Sequence, residues 1–320
     1  MKRYTLGLVA LLIAAPLECV LASPVAEPPE PTDKATIDHT RSFDFVSAEN
    51  GESYRIKVYI PDGTPPATGY PAIYVLDGGN LFGTFAGAIR NQGGAQERAQ
   101  AVVVGIEDGP GDNSADRTLD FTPSDLSAYE KKVVVDLGPN PKFGGYEKFM
   151  QTIQDEIKPK VRAMVHVDAA HETLLGWSLG GQVAVHTMLV HPGYFTSYVA
   201  LSPSLWRSDR AVFKEIPGFE KAITDGAKPV SLFLGGGALE EQVSSGMTRW
   251  PVDQSKLAAE IKYVRMVGNL RDFAAEVRPF FDKHHMAFES KIFDGETHNT
   301  VPWAAVNPIV TFLLPYGHPK

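Results

Sequence analysis

The chain has 320 residues, of which 43% are hydrophobic and 21% are charged, and these proportions are typical of a globular protein. The formal net charge is -8, which argues against a nucleic-acid partner and against an anionic membrane surface, because both require a basic face. This composition is compatible with a small-molecule substrate but does not identify one, and it leaves the oligomeric state open.

The first residues have the pattern of a secretory signal peptide. Lys2 and Arg3 precede an apolar run over residues 4–17, which is shorter than the ~20 residues of a membrane-spanning helix. Val20, Leu21 and Ala22 then have small or apolar side chains at the positions that a signal peptidase reads. We therefore predict cleavage after Ala22 and an exported, periplasmic or secreted protein without stable membrane insertion. An uncleaved membrane anchor is the alternative.

We predict three segments in the chain: a signal peptide at residues 1–22, a disordered leader rich in Pro and Glu at 23–35, and one catalytic domain at 36–320. Cleavage would also remove Cys19, the only cysteine of the chain. A mature chain without cysteine has no disulfides, no thiol nucleophile and no zinc–thiolate site.

Next in the chain, two segments that alternate polar and apolar residues predict antiparallel strands over 41–46 and 53–60. Short apolar runs without alternation follow, as expected for strands buried on both faces of a parallel sheet. These runs cover residues 72–76, 101–106, 173–176, 198–201, 230–234 and 287–293.

Segments with helical spacing of apolar residues lie between the runs and predict helices over 146–161, 179–189, 252–262, 272–285 and 301–314. Alternating strands and helices predict a three-layer α/β/α sandwich with a mostly parallel central sheet. Residues 107–145 and 202–228 are interpreted as long loops at the carboxyl ends of strands, where open α/β sheets bind ligands.

The strongest catalytic signal is a G-x-S-x-G motif formed by Gly176, Ser178 and Gly180. A predicted strand precedes the motif and a predicted helix follows it, which is the context of a nucleophile elbow. The tight turn needs residues without side chains beside the serine, and the Leu179 amide at the helix start is placed to stabilise an oxyanion. We therefore predict that Ser178 is a nucleophile, a chance glycine-rich turn being the alternative.

Ser178 needs a base, and His298 lies in the loop after the last predicted strand, where an α/β-hydrolase has its histidine. A carboxylate between them in the chain would fix the imidazole tautomer. Glu240 is our first choice, Glu241 the second, and a Ser–His dyad without an acid stays open. No pair of histidines has metal-site context, so we expect neither a metal nor another cofactor.

The second oxyanion donor is expected in the glycine-rich loop after an inner strand, where the backbone amide of Gly79 can approach a substrate closely. Asp77 in the same loop is expected to be structural and to hold the loop through hydrogen bonds to the backbone.

Several segments, taken together, resemble one family. They are Leu76-Asp77-Gly78, Arg117 to Pro123 (RTLDFTP), Gly144-Gly145-Tyr146, Gly176 to Gly181 (GWSLGG), Ser202 to Trp206 (SPSLW) and His298. They look like the esterase D-like (Putative esterase) family of α/β-hydrolases, and in particular its periplasmic trilactone siderophore esterases of the enterobactin and salmochelin type. The resemblance implies an α/β-hydrolase fold and a serine esterase that uses an acyl-enzyme on a ferric or iron-free catecholate siderophore.

The resemblance also implies that Ser178 is the nucleophile, His298 the base, and Gly79 and Leu179 the oxyanion donors. Trp177 departs from the histidine that is usual before the nucleophile, and it is expected at the mouth of the pocket. Trp206 is expected to form a pocket wall, whereas Arg117 fits either a substrate contact or a structural ion pair. The alternative functions are a feruloyl or acetyl esterase, an acyltransferase, and a non-catalytic periplasmic binding protein.

Overall fold

The computed structural model describes residues 36–133, 141–243, 247–249 and 251–314. The predicted signal peptide and leader, residues 1–22 and 23–35, lie outside the described residues, so this division of the chain stays a prediction. Among the helices that the structure describes, none has the length and apolar character needed to cross a bilayer.

In the described part of the chain, eight strands form one sheet: β1 (Thr40–Val46), β2 (Ser53–Tyr59), β3 (Tyr70–Val75), β4 (Val102–Asp108), β5 (Val167–Trp177), β6 (Ser197–Leu201), β7 (Ser231–Gly237) and β8 (Phe288–Phe293). Their order across the sheet is β1-β2-β4-β3-β5-β6-β7-β8. The pairs β1–β2 and β2–β4 are antiparallel, and the other neighbours are parallel. Each predicted strand is confirmed.

Helices of the described chain cover both faces: α1 (Gly78–Gly94), α2 (Arg117–Asp120), α3 (Glu130–Val133), α4 (Tyr146–Gln151), α5 (Lys158–Met164), α6 (Leu179–Val190), α7 (Arg207–Arg210), α8 (Ile216–Thr224), α9 (Gln254–Val264), α10 (Met266–Lys283), α11 (Val301–Ala304) and α12 (Val306–Leu313). A π-helical turn at Thr152–Ile157 lies between α4 and α5, inside the predicted helix 146–161.

The central strands are apolar throughout because both of their faces are covered. In β5, Leu174 belongs to the core beneath α6, α8 and α10, and Leu175 belongs to the core beneath α1 and α12. Both side chains are completely buried. The result is the predicted three-layer α/β/α sandwich with a mostly parallel sheet.

Several predicted segments differ from the structure. The predicted loop 107–145 contains the short helices α2 and α3. The predicted loop 202–228 contains α8, which buries Ile216, Phe219 and Ile223 at helical spacing. The predicted helix 272–285 begins earlier, at Met266. The predicted helix 301–314 is divided at Ala305, because Pro308 has no amide hydrogen and its ring would clash with the carbonyl four residues earlier.

The chain order of the strands reverses next to β3. The chain passes from β3 to β4 on one side and returns to form β5 on the other side. The carboxyl ends of β3 and β5 are therefore neighbours at a switch point, where open α/β sheets have their ligand crevice. The loop with Gly79 follows β3, and Ser178 follows β5.

Candidate active site

Ser178 lies between the end of β5 and the start of α6, with φ 59° and ψ -118°. A non-glycine residue with positive φ is strained, and such strain is concentrated at functional sites. The two motif glycines make the turn possible, because a Cβ at Gly176 would lie 2.0 Å from the carbonyl oxygen of Gly180. The turn therefore presents the serine hydroxyl at the carboxyl edge of the sheet, as the motif predicts.

The structure brings together the three side chains predicted as a catalytic triad. His298 Nε2 lies 2.9 Å from Ser178 Oγ, and His298 Nδ1 lies 2.9 Å from Glu240 Oε2. Glu240 follows β7 and has a side chain only 1% exposed, whereas His298 follows β8. The geometry is that of a serine, a base and an orienting acid in the chain order of α/β-hydrolases.

The carboxylate of Glu240 is fixed by two further donors. The Ser202 hydroxyl donates to its Oε1 over 2.6 Å, and the backbone amide of Gly237 donates to the same oxygen. Ser202 comes directly after β6, at a φ of 42°. Sequence reasoning missed this supporting residue, although the segment Ser202 to Trp206 carried the signal.

The alternative acid Glu241 lies apart from His298. Its Oε1 accepts a hydrogen bond of 2.7 Å from the backbone amide of Gly268, in the first turn of α10. The structure therefore brings Glu240, and not Glu241, to the imidazole.

The two predicted oxyanion donors lie in the first turns of helices. Gly79 is in the first turn of α1, and Leu179 is the first residue of α6. Amides in the first turn of a helix have no partner within it, so both are free to bind a developing negative charge. Gly79 and Ser178 line the same cavity, and a Cβ at Gly79 would lie 2.7 Å from a carboxylate oxygen of Glu107.

Trp177 contacts the proposed base directly. Its indole Nε1 donates a hydrogen bond of 2.9 Å to the carbonyl oxygen of His298, and the two ring centroids lie 5.0 Å apart. Trp177 also lines the cavity beside Ser178. The side chain thus lies at the pocket, as predicted, and in addition it holds the loop of His298 in place.

A cavity of about 440 Å³ opens beside Ser178, within the range of small-molecule sites. Arg117 lines this cavity and forms an ion pair with Asp77. Its guanidinium lies 5.0 Å from the centre of the Phe121 ring. Arg117 thus joins α2 to the loop after β3. Asp77 holds the loop through this ion pair and through its backbone carbonyl, which accepts hydrogen bonds from the amides of Asn80 and Leu81 over 2.9 and 3.1 Å.

Trp206 does not line the cavity. It is 8% exposed and packs with Leu126 and Met266 in a small apolar cluster, with the ring of Tyr263 edge-on at 6.1 Å. The expectation that Trp206 forms a pocket wall is therefore corrected, because its apolar surface is buried against Leu126, Tyr263 of α9 and Met266 of α10.

Comparisons with known proteins agree with the motifs. The family described as Putative esterase matches residues 47–263. The ferri-bacillibactin esterase BesA of Bacillus subtilis is 33% identical over 218 residues, which are 66% of this chain and 74% of that protein. The apo-salmochelin esterase of Escherichia coli is 30% identical over 205 residues, 63% of each chain. A BES protein from Bacillus cereus matches with a TM-score of 0.71 at 25% identity, covering 89% of this chain and 99% of that one.

Proposed function

Because the chain belongs to the Putative esterase family and is a carboxylic ester hydrolase with the α/β-hydrolase fold, we propose that it opens the ester bonds of a trilactone catecholate siderophore. The relatives named for ferri-bacillibactin and for apo-salmochelin support this substrate class. The observation that carries the proposal is the hydrogen-bonded series Ser178, His298 and Glu240 beside a cavity of about 440 Å³.

In the first half of the proposed reaction, Ser178 Oγ attacks the carbonyl carbon of one lactone ester. His298 Nε2 takes the proton of the hydroxyl, and Glu240 stabilises the imidazolium through Nδ1. The amides of Gly79 and Leu179 stabilise the oxyanion. Collapse of the tetrahedral intermediate expels the alkoxide, which receives the proton from His298, and leaves an acyl group on Ser178.

In the second half, a water molecule gives a proton to His298 and attacks the acyl carbon. The second tetrahedral intermediate breaks the bond to Ser178 Oγ, and His298 returns the proton to the serine. The products are a carboxylic acid and an alcohol on one opened chain. The proposed roles need no cofactor.

The test uses the mature chain and its Ser178→Ala variant with a tricatecholate trilactone, iron-free and iron-loaded, followed by mass spectrometry. We expect opening to linear trimer, dimer or monomer by the wild type, and a loss on the order of a thousandfold or more in the variant. An intact trilactone, together with cleavage of a nitrophenyl ester, would reject the siderophore and keep the esterase. New esters formed with an added alcohol would instead indicate an acyltransferase.

We also propose that the protein acts after export. A cleaved signal peptide is supported by Lys2 and Arg3, by the apolar run over 4–17 and by the small or apolar residues at 20–22. Expression of the full chain in a bacterium, followed by fractionation and N-terminal sequencing, should find Ser23 as the first residue of a periplasmic or secreted product. An intact N-terminus in the cytosolic fraction would refute export.

A further inference from the structure

The cavity beside Ser178 contains a buried acid that ester cleavage does not use. Asp120 lines the cavity, is 2% exposed, and accepts a hydrogen bond of 2.6 Å from the Tyr54 hydroxyl through Oδ2. Its Oδ1 is buried and has no hydrogen-bond partner in the described part of the chain. An unsatisfied buried oxygen costs free energy, and because Asp120 lines the cavity, a ligand there that donates a hydrogen bond would remove this cost.

Carboxyl groups dominate the charge of this cavity. Asp77 is paired with Arg117, and Glu107 is paired with Lys57 at 3.0 Å. Asp108 and Asp120 also line the cavity, and no ion-pair partner for either is found among the described residues. The cavity therefore favours a donor group and opposes an anion.

The groups that act on Asp120 are Glu52, which directly precedes β2, Tyr54 in β2, and Asp108 at the end of β4. Arg117, on the same helix as Asp120, acts on Asp108. The pKa of Asp120 is raised to about 8, chiefly by burial. The hydrogen bond from Tyr54 lowers this pKa, whereas the charge of Glu52, a hydrogen bond with Glu52 and the charge of Asp108 raise it. A second donor at Oδ1 would stabilise the ionised carboxylate.

Aromatic rings form the remaining inner wall. The rings of Tyr54 and Phe149 are stacked at 5.9 Å, and those of Phe121 and Phe149 lie 5.4 Å apart. All three rings line the cavity. Aromatic rings pack against other flat rings, and the unpartnered oxygen of Asp120 beside them is an acceptor for a hydroxyl on such a ring.

We propose that this end of the cavity binds one iron-free catechol ring of the substrate, and that Asp120 is the specificity-determining residue that accepts hydrogen bonds from its hydroxyls. The inference rests on the proposed siderophore hydrolysis and narrows its substrate to the iron-free form. In a ferric complex the catechol oxygens are deprotonated and bound to the metal, so they have no proton to donate and they add negative charge.

The test is competitive inhibition of nitrophenyl acetate hydrolysis by catechol and by veratrole, its dimethyl ether, which has the same ring and no donor. For the wild type, we expect catechol to bind up to about tenfold tighter than veratrole, which is within the range of one net hydrogen bond. In Asp120→Asn the side-chain oxygen keeps the hydrogen bond from Tyr54, and the amide NH₂ faces the cavity. The ratio of the affinity for catechol to the affinity for veratrole should therefore fall to about twofold or less.

The matched control is Asp225→Asn, which removes one negative charge at an exposed ion pair with Lys221, outside the cavity. We expect it to keep the wild-type ratio. A ratio near one in the wild type, or an unchanged ratio in Asp120→Asn, would overturn the inference. Labelling of Ser178 by a fluorophosphonate checks that the variant is folded.

If Asp120→Asn does not fold, a crystal structure of the wild type with catechol decides the question. A catechol oxygen within hydrogen-bond distance of Asp120 Oδ1 supports the subsite, and a ring bound elsewhere rejects it. Siderophore opening is measured separately, so cleavage of the trilactone with equal inhibition by the two probes would reject the subsite and keep the proposed function.

Discussion

At the scale of single residues, Glu240 and Glu241 are neighbours in the chain with different surroundings. Glu240 faces His298 at 2.9 Å, and Glu241 accepts from the Gly268 amide at 2.7 Å. We expect Glu240→Gln to lower kcat for nitrophenyl acetate on the order of a thousandfold, because the neutral amide neither fixes the tautomer nor stabilises the imidazolium.

Glu241→Gln is the matched control, and it should leave kcat within about twofold. The comparison is made from steady-state kinetics of both variants at one pH. If Glu240→Gln retains full kcat, the protein works as a Ser–His dyad. An equal loss of kcat in both variants would contradict the specific role of Glu240 at His298.

Ser178, His298, Gly79 and Leu179 could be placed from the sequence because each belongs to a local pattern. A nucleophile elbow needs glycines at fixed positions, and the histidine loop follows a strand that is visible as an apolar run. Ser202 could not be found in this way. Its contact with Glu240 spans 38 positions in the chain and depends on the order of β6 and β7 in the sheet.

At the scale of elements, Trp206 belongs to the packing of the loops above the sheet. We expect Trp206→Ala to lower the free energy of unfolding by about 3 kcal/mol, because the change leaves a cavity between Leu126, Met266 and Tyr263. The KM for an aromatic ester should change no more than the KM for a small acetate ester. Denaturant unfolding and steady-state kinetics measure the two effects.

Trp303→Ala is the control for this prediction, because Trp303 is 57% exposed. It should change the free energy of unfolding by about 0.5 kcal/mol or less. A KM that rises only for the aromatic ester in Trp206→Ala would restore that residue as a pocket wall.

Strands were predicted more accurately than helix ends. Two-sided burial makes the central strands continuous apolar runs, and the turns beside them have glycine or polar residues. Helix boundaries depend on single residues such as a proline, and short helices with few buried residues leave little pattern in the sequence. The break at Ala305 comes from Pro308, and α8 was hidden because only three of its residues, Ile216, Phe219 and Ile223, are buried.

At the scale of the whole molecule, the cavity is assembled from segments that are distant in the chain. Tyr54 lies in β2, Asp108 in β4, Asp120 in α2 and Phe149 in α4. The residues Arg117 to Pro123 were recognised as a motif, but the position of Asp120 behind Tyr54 depends on β2 pairing with β4. A pattern along the chain does not contain that register, so the acidic cavity could not be predicted.

The buried acid also gives the folded protein a defined response to pH. The pKa of Asp120 rises from 3.8 to about 8 because burial disfavours the charged form. Between about pH 4 and about pH 8 the folded state therefore holds a proton that the unfolded state has lost. The contribution of Asp120 to the free energy of unfolding therefore falls as the pH rises through this range.

In Asp120→Asn the side chain is neutral at every pH, so this variant lacks the fall in the free energy of unfolding that Asp120 causes as the pH rises. We expect its free energy of unfolding, relative to the wild type, to increase between about pH 5 and about pH 8, as measured by urea unfolding at several pH values. Asp225→Asn, at an exposed ion pair, should show no such trend of comparable size. A constant difference for Asp120→Asn would mean that Asp120 is already ionised at pH 5 in the folded protein, and a buried carboxylate ionised there requires a cation or a strong donor at Oδ1.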